Sequence, residues 1–302
     1  ENQMNISLLG KWMPSVNTSS KKTRELGKFF AKKLHISERN YRKMLSELRK
    51  KIDVVERKMS AGKWNEINYE NVPSHAMKNY YGAFYKHDEK GFEEYINQVK
   101  SGEKTIKSSA VYPYDLFRKG GLNFSWGYGS GNTFDLSKWN DILEEQWKAL
   151  PNYVTGKNNI LVMADTSGSM NGDNARPLQT SLGLAIYFAE RNRGAYKNLF
   201  MTFSTSPRFV ELSGNTVADK ISGIESIVAD TNLEKAFELI LEVALENHVP
   251  QEELPKALII ITDMQFNSCI TDSRQTATFY TKMKDKFSAE GYKLPNVIFW
   301  NV

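Results

Sequence analysis

Two stretches constrain the fold more than anything else in this chain. Asn159–Ala164 reads NILVMA and Ala257–Thr262 reads ALIIIT; each is continuously apolar, rich in branched side chains and followed at once by an aspartate, Asp165 or Asp263. A short run without polar alternation has to be covered on both sides, as parallel strands inside an α/β sheet are. The surrounding pattern alternates accordingly. A helix follows the first run, with Pro177 in its first turn and Gly194 beyond its end. Leu199–Phe203 and Arg208–Leu212 read as hairpin-like strands. Leu233, Ala236, Phe237, Ile240, Leu241, Ala244 and Leu245 have helical spacing, a further helix covers Ala277–Glu290 up to Gly291, and Asn296–Asn301 (NVIFWN) reads as a last strand. Strands alternating with helices imply a doubly wound α/β sheet, with ligands bound at the carboxyl ends of its strands.

The first third has no strand pattern. Tyr41, Met44, Leu45, Leu48, Ile52, Val55 and Met59 recur at steps of three and four, opposite Arg42, Lys43, Arg49, Lys50, Arg57 and Lys58. Ser37 is placed to cap this helix. An earlier helix runs from Ser19 or Ser20 to Leu34, with Leu26, Phe29, Phe30 and Leu34 expected inward. Pro73-Ser74 starts a third helix through Met77, Tyr81 and Phe84, and a fourth carries Phe92, Tyr95, Ile96 and Val99. From Ser108 to Thr133 glycines mix with Phe124, Trp126 and Tyr128, which reads as a connecting loop, and a helix around Leu136–Leu150 ends at Pro151. The expected chain is therefore an α+β two-domain one: a basic all-α domain over 1–107, a linker and connecting helix over 108–154, and a doubly wound α/β domain over 155–302. With about five strands before Val302, the second domain is expected to be cut short at its C-terminus.

Charge follows the same division. The net +5 of the 302 residues averages a first half with 26 Lys+Arg against 18 Asp+Glu and a second half with 14 against 17; Lys11 to Lys63 alone holds 16 basic and 5 acidic residues. The single cysteine, Cys269, excludes an intrachain disulfide framework and a Cys-based zinc site. No apolar run reaches the roughly 18 residues of a membrane span and no signal-peptide pattern opens the chain, so a cytoplasmic or other intracellular setting, away from membranes, is expected.

The chemistry concentrates where the apolar runs end. Asp165-Thr166-Ser167-Gly168-Ser169-Met170 sets a carboxylate and two hydroxyls around a glycine turn. Asp263 follows the second run, and Thr231, in Asp230-Thr231-Asn232, opens the most periodic helix. These are hard oxygen ligands, suited to Mg²⁺, or to Mn²⁺ or Ca²⁺. A general base is missing from the vicinity: His35, His75, His87 and His248 are all remote in sequence from these loops, and Ser167 lacks the G-x-S-x-G elbow of hydrolases.

Asp165, Ser167 and Ser169, then Thr231, then Asp263 resemble the metal-ion-dependent adhesion site (MIDAS) of von Willebrand factor A (vWA) domains, whose pattern is D-x-S-x-S, a later Thr and a later Asp. The resemblance covers about residues 155–302. It implies a non-enzymatic domain that binds an acidic side chain of a partner protein through the cation. Two departures are Ala229-Asp230 before the Thr, where the family often has glycines, and Met264 after the last Asp, where it often has Gly. In the first half, Leu9-Gly10-Lys11-Trp12-Met13-Pro14-Ser15, Tyr41-Arg42-Lys43, Asp53-Val54-Val55-Glu56, Val72-Pro73-Ser74 and Tyr112-Pro113 look like the DUF2828 family, which joins a helical region to an A-type domain and implies no established activity. The plan of basic helices followed by an A domain is also similar to the Ro ribonucleoprotein architecture, by analogy alone. It suggests RNA as a second partner, with Lys21, Lys22, Lys32, Lys33, Arg42, Lys43, Arg49 and Lys50 as candidate phosphate contacts.

Overall fold

The structure, a computed structural model, describes residues 9–52, 54–125, 132–155, 159–203, 207–226, 233–264 and 273–302. The chain divides into two compact units, Glu1–Val72 with Asn79–Lys104, and Pro73–Lys78 with Thr105–Val302. Among the described residues no helix is long and apolar enough to cross a membrane.

The first unit is helical: α1 (Leu9–Trp12), α2 (Lys21–Lys33), α3 (Glu38–Ile52) and α4 (Val55–Ser60), then most of α5 (Ser74–His87) and α6 (Glu89–Lys100). Ser20 caps α2, its Oγ accepting from Thr23 N, and Ser37 Oγ accepts from Asn40 N at the start of α3. Val16, Ala31, Tyr41 and Leu45 form a small core. Contrary to the expectation from sequence, Leu26, Phe29 and Leu34 are exposed, and the edge of α2 that turns inward is Gly27 and Ala31. The reason is a close backbone approach: a Cβ on Gly27 would lie 2.9–3.0 Å from Ser15 C and Pro14 O, so the segment before α2 packs on its small residues and leaves the large ones outside. Tyr41 Oη donates to Pro14 O at 3.0 Å and holds that segment. On the other side of the unit Tyr69, Phe84, Phe92 and Tyr95 are buried together, with Tyr69 Oη donating to Asp88 at 2.7 Å.

The second unit is mixed α/β. Its elements are α7 (Pro113–Lys119), β1 (Leu122–Ser125), β2 (Asn132–Leu136), α8 (Asp141–Lys148), β3 (Ile160–Asp165), α9 (Gly172–Arg191), β4 (Leu199–Phe203), β5 (Arg208–Glu211), α10 (Val217–Ser222), β6 (Glu225–Ser226), α11 (Leu233–Glu246), β7 (Ala257–Thr262), α12 (Ser273–Ala289) and β8 (Asn296–Asn301). The main sheet has the order β5-β4-β3-β7-β8, parallel except for the β5 edge. Leu161, Val162, Leu258, Ile260 and Ile261 are essentially fully buried, each a gain of about 1.5–3 kcal/mol over exposure. One face packs Leu161, Met163, Leu258 and Ile260 against Phe237 and Ile240 of α11 and Met283 and Phe287 of α12; α9 covers the other and donates Ser181 Oγ to Ile261 O. β8 closes one edge, with Ile298, Phe299 and Trp300 substantially exposed.

Much of Ser108–Thr133 is not a loop. Pro113 starts α7 in a position that needs no backbone N–H, and Asp115 returns a hydrogen bond to Tyr112 N. β1 and β2 form an antiparallel hairpin that β6 extends to three strands. The helix after it is shorter than expected, Asp141–Lys148, because Asn140 caps it by accepting from Ile142 N and Leu143 N. The expected α12 start at Ala277 moves back to Ser273.

Candidate metal centre

From β3 the chain runs on one side of the sheet to β4 and β5, while β7 and β8 lie on the other. This reversal makes the carboxyl ends of β3 and β7 the switch point of the sheet, the place where open α/β sheets take their ligands. Ala164 pairs with Ile261 in register, so Asp165 comes level with Thr262, and the turns after the two strands stand side by side.

Asp165 is fully buried. Its Oδ1 accepts from Ser167 N at 2.9 Å and its Oδ2 from Thr262 Oγ1 at 2.6 Å. Burial pushes its carboxyl above the usual aspartate range; the hydrogen bonds from Thr262 and Ser167 oppose the rise, and the nearby charge of Asp263 adds to it. No salt bridge reaches Asp165 among the described residues. Ser167 and Ser169 hold their hydroxyl oxygens 3.0 Å apart at the 3₁₀ turn Gly168–Asn171. Thr166, in the same turn, is buried, and its Oγ1 has no hydrogen-bond partner among the described residues. Asp263 is half-buried just past β7. Beyond the turn, Asp173, Asn174 and Ala175 take φ of 47°, 56° and 59° before α9 becomes regular. Three successive left-handed residues cost the chain free energy, and they separate the oxygen-bearing turn from the helix it leads to.

Among the described residues the set is two carboxylates and two hydroxyls, with no thiol or imidazole beside them, and such oxygens suit a hard divalent ion. Among the described residues no group of three or more His, Cys, Asp and Glu gathers, so an ion here depends on the hydroxyls as much as on the carboxylates. Thr231 and Asp230 lie outside the described residues, as do Cys269 and the Trp126–Gly131 aromatic-glycine run. Thr262 was not singled out from sequence, because it reads as the last residue of a buried strand; its signal was a hydroxyl immediately before Asp263. Of the four histidines, His87 stacks on Trp64 at 4.3 Å, in the first unit.

The candidate phosphate contacts do not form one surface. Lys21 and Lys22 stand at the start of α2 and Lys32 and Lys33 at its end, all exposed. Lys33 lies over the Phe29 ring, and Lys50 is exposed on α3 and does not line the cleft formed by its neighbours. Arg42, Lys43 and Arg49 are brought together in a cleft on α3, joined by Arg39 and Arg57.

Two family profiles divide the chain. Residues 1–159 match a domain of unknown function, DUF2828, and residues 159–302 match another, DUF7788. An uncharacterized protein of Acanthamoeba polyphaga mimivirus is 28% identical over 316 aligned positions, which take in 98% of this chain and 52% of the viral protein. The chain thus spans about half the length of the curated relative it matches.

Proposed function

We propose that this protein, which belongs to the DUF2828 family, is a metal-dependent interaction protein and not an enzyme, and that its second half is a vWA-type domain binding an acidic residue of a partner protein through a divalent cation. Asp165, Ser167, Ser169, Thr231 and Asp263 would hold the ion: Mg²⁺ first, with Mn²⁺ or Ca²⁺ as alternatives. The observation that carries the reading is Asp165 itself. A fully buried carboxylate with no cationic side chain paired to it among the described residues is expensive unless something positive compensates it, and the oxygens gathered beside it, at Ser167 and Ser169, are of the kind a hard cation prefers.

A bound cation supplies a Lewis-acidic position for an outside oxygen. The chain's own residues do the rest. Thr262 and Ser167 N orient the Asp165 carboxylate, and the two serine hydroxyls stand as neutral donors. Two carboxylates and two or three hydroxyls fall short of the six oxygens that Mg²⁺ takes, so a carboxylate oxygen of a partner's Asp or Glu can complete the shell.

Calorimetry on the full chain tests this reading. Mg²⁺ or Mn²⁺ should bind the wild-type protein and fail to bind D165A, and partner capture should be lost in EDTA and restored by Mg²⁺. Metal binding that survives D165A unchanged, or no binding in either protein, would overturn it.

A further inference from the structure

We infer that the first unit carries a second, independent binding site: a cationic cleft on α3 that takes the phosphodiester backbone of single-stranded nucleic acid. The cleft has a volume of about 570 Å³ and is lined by Arg39, Arg42, Lys43, Arg49 and Arg57, with no carboxylate in its lining. Four of the five cations come from one stripe of α3, because steps of three and four from Arg39 to Arg49 return to the same face. At 1.5 Å per residue that stripe is about 15 Å long, enough for more than one phosphate group. Arg57 comes from α4, and the segment before α2 forms another wall through Ser15 and Asn17.

The cluster is held in place. Arg49, half-buried, donates to Gly10 O at 3.3 Å, to Met13 O at 2.9 Å and to Ser15 Oγ at 3.0 Å. Those acceptors are neutral, so its charge is fixed at the cleft without being cancelled. Two of the carboxylates near in sequence are occupied elsewhere: Glu38 pairs with Lys28 and Glu56 with Lys11, while Glu47 of α3 is not among the residues that line the cleft. Among the described residues no ion pair reaches Arg39, Arg42, Lys43 or Arg57. Five like charges converging without a counter-charge repel one another. An anion removes that repulsion, and guanidinium forks match phosphate oxygens in particular.

The rest of the lining selects among phosphate ligands. It contains no aromatic ring, so bases find no aromatic platform there; the cleft engages phosphates first. Its volume is that of a small-ligand site, large enough to take a stretch of a single strand's backbone. Cations spread along a helix fit phosphates repeated along a chain better than a single phosphoryl group. This site owes nothing to the metal centre, which sits in the other unit.

Fluorescence anisotropy of the full chain with labelled dodecauridylate RNA tests the inference. Binding is expected, with log affinity falling against log salt at a slope of about −3.5, since a single strand loses about 0.7 per phosphate contact and the cleft offers five. R42Q/R57Q, at two exposed positions, should weaken binding at least tenfold near 0.1 M salt and bring the slope to about −2, with the circular dichroism spectrum unchanged. K21Q/K22Q, outside the cleft, should change affinity less than twofold, and EDTA should change nothing, which separates this site from the metal reading. Inorganic triphosphate should compete at least tenfold more weakly than unlabelled RNA. No RNA binding, a flat salt dependence, an equal loss in K21Q/K22Q, or triphosphate outcompeting RNA would each overturn it.

Discussion

Thr262 shows how much of the metal centre rests on one hydroxyl. It is fully buried; its Oγ1 donates to Asp165 Oδ2 at 2.6 Å and accepts from Met264 N at 3.2 Å. Valine has nearly the same shape and neither bond, so T262V leaves a buried carboxylate oxygen and a backbone N–H without this partner. Loss of such a pair costs about 1–3 kcal/mol. T262V should therefore lower unfolding free energy in urea by about 2 kcal/mol, and T262S, which keeps the hydroxyl, by less than half of that. Equal losses in both variants would mean that packing, not hydrogen bonding, sets the role of Thr262. The aspartates were legible in the sequence because a charge directly after an apolar run is conspicuous. Thr262 was not, because a threonine inside ALIIIT reads as one more β-branched strand residue. Arg39 and Arg57 were missed for a related reason: the cleft is assembled from two helices and an N-terminal segment, and no local pattern announces that convergence.

At the scale of elements, α11 and α12 meet along a charged seam. Glu234 accepts from Lys282 at 2.6 Å and from Lys286 at 3.3 Å, and Lys286 also pairs with Glu238. The hydrogen bond from Lys282 holds the Glu234 carboxyl below the usual glutamate value of 4.5 against the opposing effect of burial, with Lys286 helping. A carboxylate depressed in the folded state contributes stability that is present above its unfolded value and lost as pH falls through the folded one. The seam should weaken from about pH 4.5 downwards. These groups are largely exposed, so the contribution is at most about 1 kcal/mol and is screened by salt. Urea titrations of wild type and E234Q should converge between pH 7 and pH 3, and also when about 1 M NaCl is added at pH 7; a constant gap would show that the seam holds by its apolar contacts. The helices and strands themselves were legible to the extent that they repeat. β3, β7, β8 and α11 stand close to where apolar runs and 3.6-residue periodicity put them. α7 and the β1–β2 hairpin were hidden because Pro113 and the glycines around them read as punctuation, when here a proline opens a helix and the strands are only 4 and 5 residues long. The inward edge of α2 was hidden because Gly27 and Ala31 carry no hydrophobic signal to compete with Leu26 and Phe29.

At the scale of the whole molecule, the second unit does not begin where its own continuous sequence does. It takes in Pro73–Lys78, the start of α5. Lys78 is 5% exposed and pairs at 2.8 Å with Asp115, 7% exposed, which also caps α7. Gln146, fully buried, donates to Ser74 O at 3.0 Å, and Met77 is fully buried. A chain cut at residue 105 keeps every described strand and both aspartates of the metal centre, yet it leaves buried Asp115 with only the exposed Arg118, 3.7 Å away, in place of its buried lysine, which costs up to about 3–5 kcal/mol. For a unit of this size each kcal/mol shifts Tm by about 2–4 °C. Residues 73–302 should therefore melt about 10 °C above residues 105–302. A cation that binds the folded unit alone raises Tm by mass action in either piece, so Mg²⁺ should raise both by similar amounts and leave the gap between them in place. Identical melting temperatures without metal would show that the α5 start is a passenger, and a gap closed by Mg²⁺ would show that Lys78 acts on the metal centre rather than on the packing of α7.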